Sequence, residues 1–100
     1  MVKKRKVIWP DISKQQLREA YNYIKKDSLK NAEKVRKAIV ASTMGLCDQP
    51  NMHKTDKYKN DNDGTFRAYE IFHYRVAYQV TEMEIIIIRV RHTSMEPLKY

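Results

Sequence analysis

The sequence predicts an α+β fold in the order β-α-α-β-β-β, with a helical hairpin packed on one face of a mainly antiparallel sheet. Three observations carry this. The last third of the chain is three strand-like runs in succession, over about 65–72, 74–80 and 84–92, rich in β-branched and aromatic residues. Two segments of the first half repeat their apolar residues at helical spacing. Glycine and proline number only 2 and 3, so connections are few and elements long.

The first strand is short. Residues 2–9 alternate poorly, but Val7-Ile8-Trp9 reads as the end of a strand. Pro10 stops it and disfavours helix at Trp9. Ser13 followed by Gln16 has the form of a capping box. Leu17, Ala20, Tyr21 and Ile24 then mark a helix from about 12 to about 26. Asp27-Ser28 breaks and re-caps the chain. A second helix aligns Leu29, Ala32, Val35, Ile39, Val40, Thr43 and Leu46 on one side, opposite Lys30, Glu33, Lys34, Arg36 and Lys37. So short a break gives an antiparallel hairpin whose apolar stripes cover a sheet.

Residues 50–64 are almost free of apolar side chains and contain Asn60-Asp61-Asn62-Asp63-Gly64. They are expected to form a long exposed loop. Turns are expected near His73 and at Glu82-Met83. In the middle strand of the meander, Tyr74, Val76, Tyr78 and Val80 point toward the helices, which leaves Arg75, Ala77 and Gln79 on the open face. In the last strand Ile86, Ile88 and Val90 share one face, and Ile85, Ile87, Arg89 and Arg91 the other.

The chain of 100 residues is expected to be one domain, 1–100, with 42% hydrophobic and 32% charged residues, a globular balance. The net charge is +8, and all of it lies in residues 1–40, where twelve cations face four acids; residues 41–100 hold eight of each. Such an excess suggests a polyanion or an acidic protein partner, against the plainer reading of a solvated helix surface. Cys47 stands alone, which excludes a disulfide framework and a thiolate metal cluster. The basic start is followed by no apolar signal region, and no run is long enough to span a membrane, so a soluble cytoplasmic protein is expected.

The element order, the run Tyr74-Arg75-Val76-Ala77-Tyr78-Gln79-Val80 and the ending from His92 to Tyr100 together resemble the RelE/ParE superfamily of toxins. These are the toxic halves of type II toxin–antitoxin modules. The likeness covers nearly the whole chain as a pattern, with no single diagnostic motif. It implies a cognate antitoxin that wraps the toxin. It also implies one of two actions. RelE-like members cleave messenger RNA on the ribosome; ParE-like members share the fold and poison DNA gyrase.

The RelE branch implies a metal-independent endoribonuclease with no cofactor. Such chemistry needs a base, cations at the phosphate and an acid for the leaving oxygen. Arg75 matches the strand arginine of that branch, and Arg67 falls where it places a lysine or arginine. The alternative for Arg75 is a surface pairing with Glu70 or Glu84. His92 is the candidate proton carrier. Its face depends on register. With Glu82-Met83 as a two-residue turn, Val80 pairs with Ile85, and His92 lies opposite His73 on the Arg75 face. A one-residue shift turns His92 toward the core and separates Arg89 and Arg91 from the isoleucines more cleanly. Tyr100 resembles the late tyrosine of RelE-like enzymes. Arg89, Arg91, Lys54 and Lys57 are the candidates for RNA contact, with Lys59 and Tyr58 beside them in the loop. His53 and His73 are expected to be incidental. Three functions follow: a ribosome-dependent mRNA endonuclease, a gyrase-binding toxin without chemistry of its own, or a decayed member kept as its antitoxin's partner.

Overall fold

The computed structural model describes residues 4–100. The elements are β1 (Lys6–Ile8), α1 (Asp11–Lys25), α2 (Leu29–Met44), β2 (Phe66–Ile71), β3 (Tyr74–Val80) and β4 (Glu84–His92), with short 3₁₀ turns at Gly45–Cys47 and Thr93–Met95. The strands form one sheet in the order β1-β4-β3-β2. The three-strand meander is antiparallel, and β1 joins β4 in parallel. Both helices cover one face. This is the α+β layer that the sequence predicts.

Each helix starts for a local reason. α1 begins directly after Pro10, which has φ −59° and occupies the N-cap. Ser13 is therefore already helical. Its hydroxyl donates to the Pro10 carbonyl at 3.0 Å and caps nothing, so the expected capping box is not formed. Ser28 does cap α2, accepting from the Asn31 N–H at 3.1 Å. Ala32, Val35, Ile39, Thr43 and Leu46 of the expected stripe are buried, whereas Leu29 and Val40 are exposed. Leu29 is the first residue of the helix.

The core joins Ala20, Val35, Ile39 and Leu46 to Tyr74, Val76, Tyr78, Ile85, Ile87 and Val90 of the sheet. Burial of one such aliphatic side chain contributes about 1.5–3 kcal/mol. Tyr74, Val76 and Tyr78 face the helices as expected. The parity expected for β4 is overturned: Ile85 and Ile87 share the core face with Val90. The cause is a bulge. Near the turn Val80 pairs with Ile85 and Tyr78 with Ile87; beyond it Ala77 pairs with Arg89 and Tyr74 with His92. Ile88 is the extra residue, and it reverses the alternation. The two registers considered from sequence thus both occur, one in each half of the strand.

β1 flanks only Glu84 to Ile86. Further along, α1 lies beside β4, and Gln16 Oε1 accepts the Val90 N–H at 2.8 Å. The β2–β3 turn consists of Phe72 and His73, both left-handed, with φ 49° and 66°. A two-residue hairpin turn of this hand normally selects Asn-Gly, because other side chains crowd the backbone there.

Residues 50–64 are not a free loop. The Asp56 N–H donates to the Phe66 carbonyl at 2.8 Å and the Ala68 N–H to the Lys54 carbonyl at 3.1 Å, so the segment lies along the outer edge of β2. Asn62 fastens the return: its amide donates to the carbonyls of Asp56 and Phe66, and its oxygen accepts from Gly64. Such side-chain-to-backbone bonds let an Asn/Asp/Gly run fold tightly without regular structure. Asp56 is driven inward as a result and is 2% exposed.

Candidate functional site

β3 runs between β2 and β4 and carries Arg75 at its second position, opposite Glu70 on one side and Arg91 on the other. Ala77, two residues on, is opposite Arg89. Alternation therefore places Arg75, Arg89 and Arg91 together on the face away from the helices. Like charges on opposed strand positions repel, so this face needs counter-ions.

Three carboxylates supply them. Asp56 Oδ1 meets Arg75 Nη2 at 2.9 Å, and Glu70 stands 3.6 Å from Arg75 Nη1. Glu96, from the C-terminal tail, reaches Arg91 at 3.1 Å and Arg89 at 3.6 Å. The Tyr58 ring covers the Arg75 guanidinium at 4.6 Å. Arg75 is left 9% exposed. It lies on the expected face, but that face is closed over it by residues 56–58 and the tail. Its Nε is buried without a partner.

Tyr100 completes the cover. Its hydroxyl donates to Asp56 Oδ2 at 2.7 Å, and its ring lies 4.1 Å from the Arg89 guanidinium. Its backbone N–H donates to the Tyr58 carbonyl at 3.0 Å, and its carbonyl accepts from Asn60 at 2.7 Å. Arg89 also donates to the Leu98 carbonyl. The tail is thus laced to residues 58–60 on one side and to β4 on the other. Burial pushes the Asp56 carboxyl up, but the Tyr100 hydroxyl, Arg75 and the Tyr58 N–H outweigh it and hold the group below the usual carboxylate range. Burial first, and then the same carboxylate, push the Tyr100 phenol well above its ordinary value.

The remaining nominated residues lie elsewhere. Arg67 pairs with Tyr78 and faces the helices. Its Nη1 donates to the His53 carbonyl at 2.6 Å, and its Nε is buried without a partner. His53 stacks on Tyr69 at 4.2 Å, and burial lowers its pKa. Tyr69 shares a hydrogen bond with Ser42 of α2, and Tyr78 donates to the Pro50 carbonyl; burial pushes the Tyr78 phenol up to about 12. This set is a second polar cluster, under the other face of the sheet.

His92 also faces the helix side, edge-on to Tyr74 at 5.1 Å. Its Nδ1 accepts the Ser94 N–H at 3.1 Å, which leaves a neutral ring's proton on Nε2. Lys54 and Lys57 are exposed, with Lys57 over the Tyr58 ring at 5.2 Å. The structure therefore brings Arg75, Tyr100, Arg89 and Arg91 together and keeps Arg67 and His92 apart from them.

Sequence reasoning missed Asp56 and Glu96, which organise this cluster, and it named Tyr58 for RNA contact, whereas the ring roofs Arg75. The available signal was charge count: with Glu70 the one strand carboxylate beside them, three strand arginines on one face require further carboxylates from outside the strands. Among the described residues no group of three or more His, Cys, Asp or Glu is placed to hold a metal ion, and no helix is long and apolar enough to cross a membrane.

The fold is similar to two solved toxin–antitoxin structures. One is the chromosomal ParDE system from P. aeruginosa, with a TM-score of 0.69 at 18% identity, covering 89% of this chain and 96% of that one. The other is the RelBE2 toxin–antitoxin complex from Mycobacterium tuberculosis, with a TM-score of 0.63 at 16% identity, covering 90% and 99%. Comparison with the curated proteins gives no sequence match. The family model described as the ParE toxin of the type II toxin–antitoxin system, parDE, matches residues 7–97. With nearly the whole chain inside that match, and with its two helices on an open four-stranded sheet, the chain belongs to the ParE toxin family of type II toxin–antitoxin systems.

Proposed function

We propose that this toxin acts by holding a protein target, DNA gyrase, and does no chemistry on RNA. The observation that carries the reading is the state of Arg75. A guanidinium that grips a phosphate needs a free fork. Here Nη2 is held by the buried Asp56 carboxylate and Nη1 faces Glu70, the group is roofed by Tyr58, and Asp56 is tied in turn to Tyr100. The nuclease reading also needs Arg67 and His92 beside Arg75, and both side chains face the other side of the sheet. The match to a ParE model supports the same choice.

What favours the nuclease alternative is the meeting of Arg75, Arg89 and Tyr100 on one face, which a shift of the tail would uncover. Brief induction in cells separates the two. Gyrase-linked DNA breaks with intact transcripts are expected. Primer-extension stops within translated codons, abolished by Arg75→Ala, would reverse the assignment.

A cognate antitoxin belongs to this reading in either case, because both similar structures are toxin–antitoxin systems. Its docking surface is the groove between α1 and the end of β4, lined by Gln16, Ala20, Tyr23, Tyr74, Val90 and Met95. Tyr23 and Met95 are 64% and 59% exposed there, an apolar surface that a bound segment would cover. Tyr23→Asp should weaken antitoxin binding at least tenfold in a titration without changing the toxin's fold.

A further inference from the structure

The cations of the helical hairpin lack the carboxylates that lace the sheet face, although Arg36 lies over the Tyr21 ring at 5.1 Å. From Asp11 to Met44 there are eight of them: Lys14, Arg18, Lys25, Lys26, Lys30, Lys34, Arg36 and Lys37. Among the described residues none of the eight is within ion-pairing distance of a carboxylate, although Glu33 stands at favourable helical spacing to Lys37. Lys30, Lys34 and Lys37 follow one another at i, i+4 and i+7 on the outermost side of α2, all exposed. Like charges at this spacing repel and weaken a helix. Among the described residues no ion pair offsets it.

The stripe leads to a strained point. Lys34 Nζ lies 5.7 Å from the centre of the Phe72 ring. Phe72 is 44% exposed at the tip of the β2–β3 turn, with φ 49°, where a phenylalanine is disfavoured both by its backbone and by its contact with water. A repulsive row of lysines and a strained, outward-facing aromatic ring adjoin each other. Each is unfavourable for the free protein, and each is suited to the same kind of ligand.

We infer that the outer face of α2 and the Phe72 tip form a binding surface for single-stranded nucleic acid, in which Lys30, Lys34 and Lys37 track successive phosphates and the Phe72 ring stacks on an unpaired base. Lysine is a point charge on a flexible stem, which follows a backbone without reading its sequence. Aromatic stacking accepts any base and adds affinity that charge alone does not. An acidic protein segment would be drawn to the lysines but would gain nothing specific from the planar ring. The surface lies apart from the Arg75 cluster, so the inference does not depend on which target the toxin has.

Fluorescence anisotropy with short labelled single strands of RNA and DNA, titrated over a range of salt, tests this in the intact chain. Wild type should bind at low salt, with affinity falling steeply as salt rises. Replacing Lys30, Lys34 and Lys37 with Gln should remove about 2 from the slope of log affinity against log salt, since each single-strand phosphate contact contributes about 0.7. Phe72→Ala should cost about tenfold in affinity and leave that slope unchanged, while Phe72→Trp should retain binding. Circular dichroism and a melting curve show whether each variant is folded. Absence of binding by the folded wild type at low salt overturns the inference. So does an unchanged slope in the lysine variant, an unaffected Phe72→Ala, or equal affinity for a duplex whose bases are stacked away. Binding of an acidic peptide through the same three lysines, with no binding of the strands, would reassign the surface to a protein partner.

Discussion

The outer face of the sheet and the outer face of the helical hairpin both carry many cations, and they treat them in opposite ways. On the sheet, Arg75, Arg89 and Arg91 meet Asp56, Glu70 and Glu96 and are roofed by Tyr58 and Tyr100. On the hairpin, the lysines are exposed and none pairs with a carboxylate, though Lys34 lies near the Phe72 ring. The sheet face uses arginine alone, and the hairpin uses mostly lysine, with Arg18 and Arg36 beside six lysines. Arginine's planar fork is readily held by carboxylates and rings in a partly buried site, whereas lysine keeps its hydration and its freedom. The strand arginines nominated from sequence are thus committed to structure, and the hairpin cations, read from sequence as a mark of a polyanionic or acidic partner, carry no such pairing.

The contrast is sharpest at Asp56. If it is the keystone of the sheet face, Asp56→Ala strands a largely buried guanidinium and releases the Tyr100 hydroxyl. Removing one partner of a buried pair costs about 3–5 kcal/mol. Urea unfolding should show a loss near the low end of that range, since Glu70 still reaches Arg75. A loss under about 1 kcal/mol would mean that the roof is ornamental and that the two faces differ less than their geometry suggests.

Tyr100→Phe removes only the hydroxyl. A hydrogen bond to a charged group contributes about 1.5–3 kcal/mol, so a smaller loss than for Asp56→Ala is expected. The pH dependence carries the same signature. The folded pKa of Asp56 is lowered, so its contribution is present above the unfolded value of 3.8 and is lost as pH falls below it. The folded pKa of Tyr100 is raised, so its contribution is present below the unfolded value of 10.0 and is lost as pH climbs past it. Stability measured across pH should fall at both ends. Asp56→Asn should flatten the acid limb, and Tyr100→Phe the alkaline one.

The elements of this fold were legible because periodicity decides them. The boundaries of β3 and β4 and the cap at Ser28 follow from alternation, turn residues and a hydroxyl at the right place. The bulge was only half legible. The isoleucine run 85–88 hides an extra residue because all four side chains are apolar, and the arginines beyond it were the sole hint that the phase had changed. Asp56 was not legible at all. It sits in a polar run without period, and its burial comes from Asn62 folding the chain back on β2. Long-range ion pairs of this kind, between a loop, a strand and a tail, leave no local trace. The face of Arg75 could be inferred; what closes over it could not.

A smaller effect, of the opposite sign, is expected at the hairpin tip. Each residue held in the left-handed region without need costs on the order of 1 kcal/mol. Replacing Phe72-His73 by Asn-Gly should therefore raise stability by about 1–2 kcal/mol, read as a shift in the urea midpoint at unchanged slope. If the tip is strained for the sake of a ligand, the same variant should lose affinity for single strands, as a functional site commonly exchanges stability for activity.

The lysines give the smallest change in stability. Surface substitutions away from packing or pairing alter stability by no more than about 0.5 kcal/mol, and Lys30, Lys34 and Lys37 touch neither the core nor a carboxylate. Replacing all three with Gln also relieves the repulsion along α2, at a few tenths of a kcal/mol per pair. The melting temperature should therefore stay the same or rise slightly, and the rise should be larger at low ionic strength, where screening is weakest. A clear fall would show that these side chains hold the hairpin together after all. The two cationic faces would then differ in geometry and not in kind.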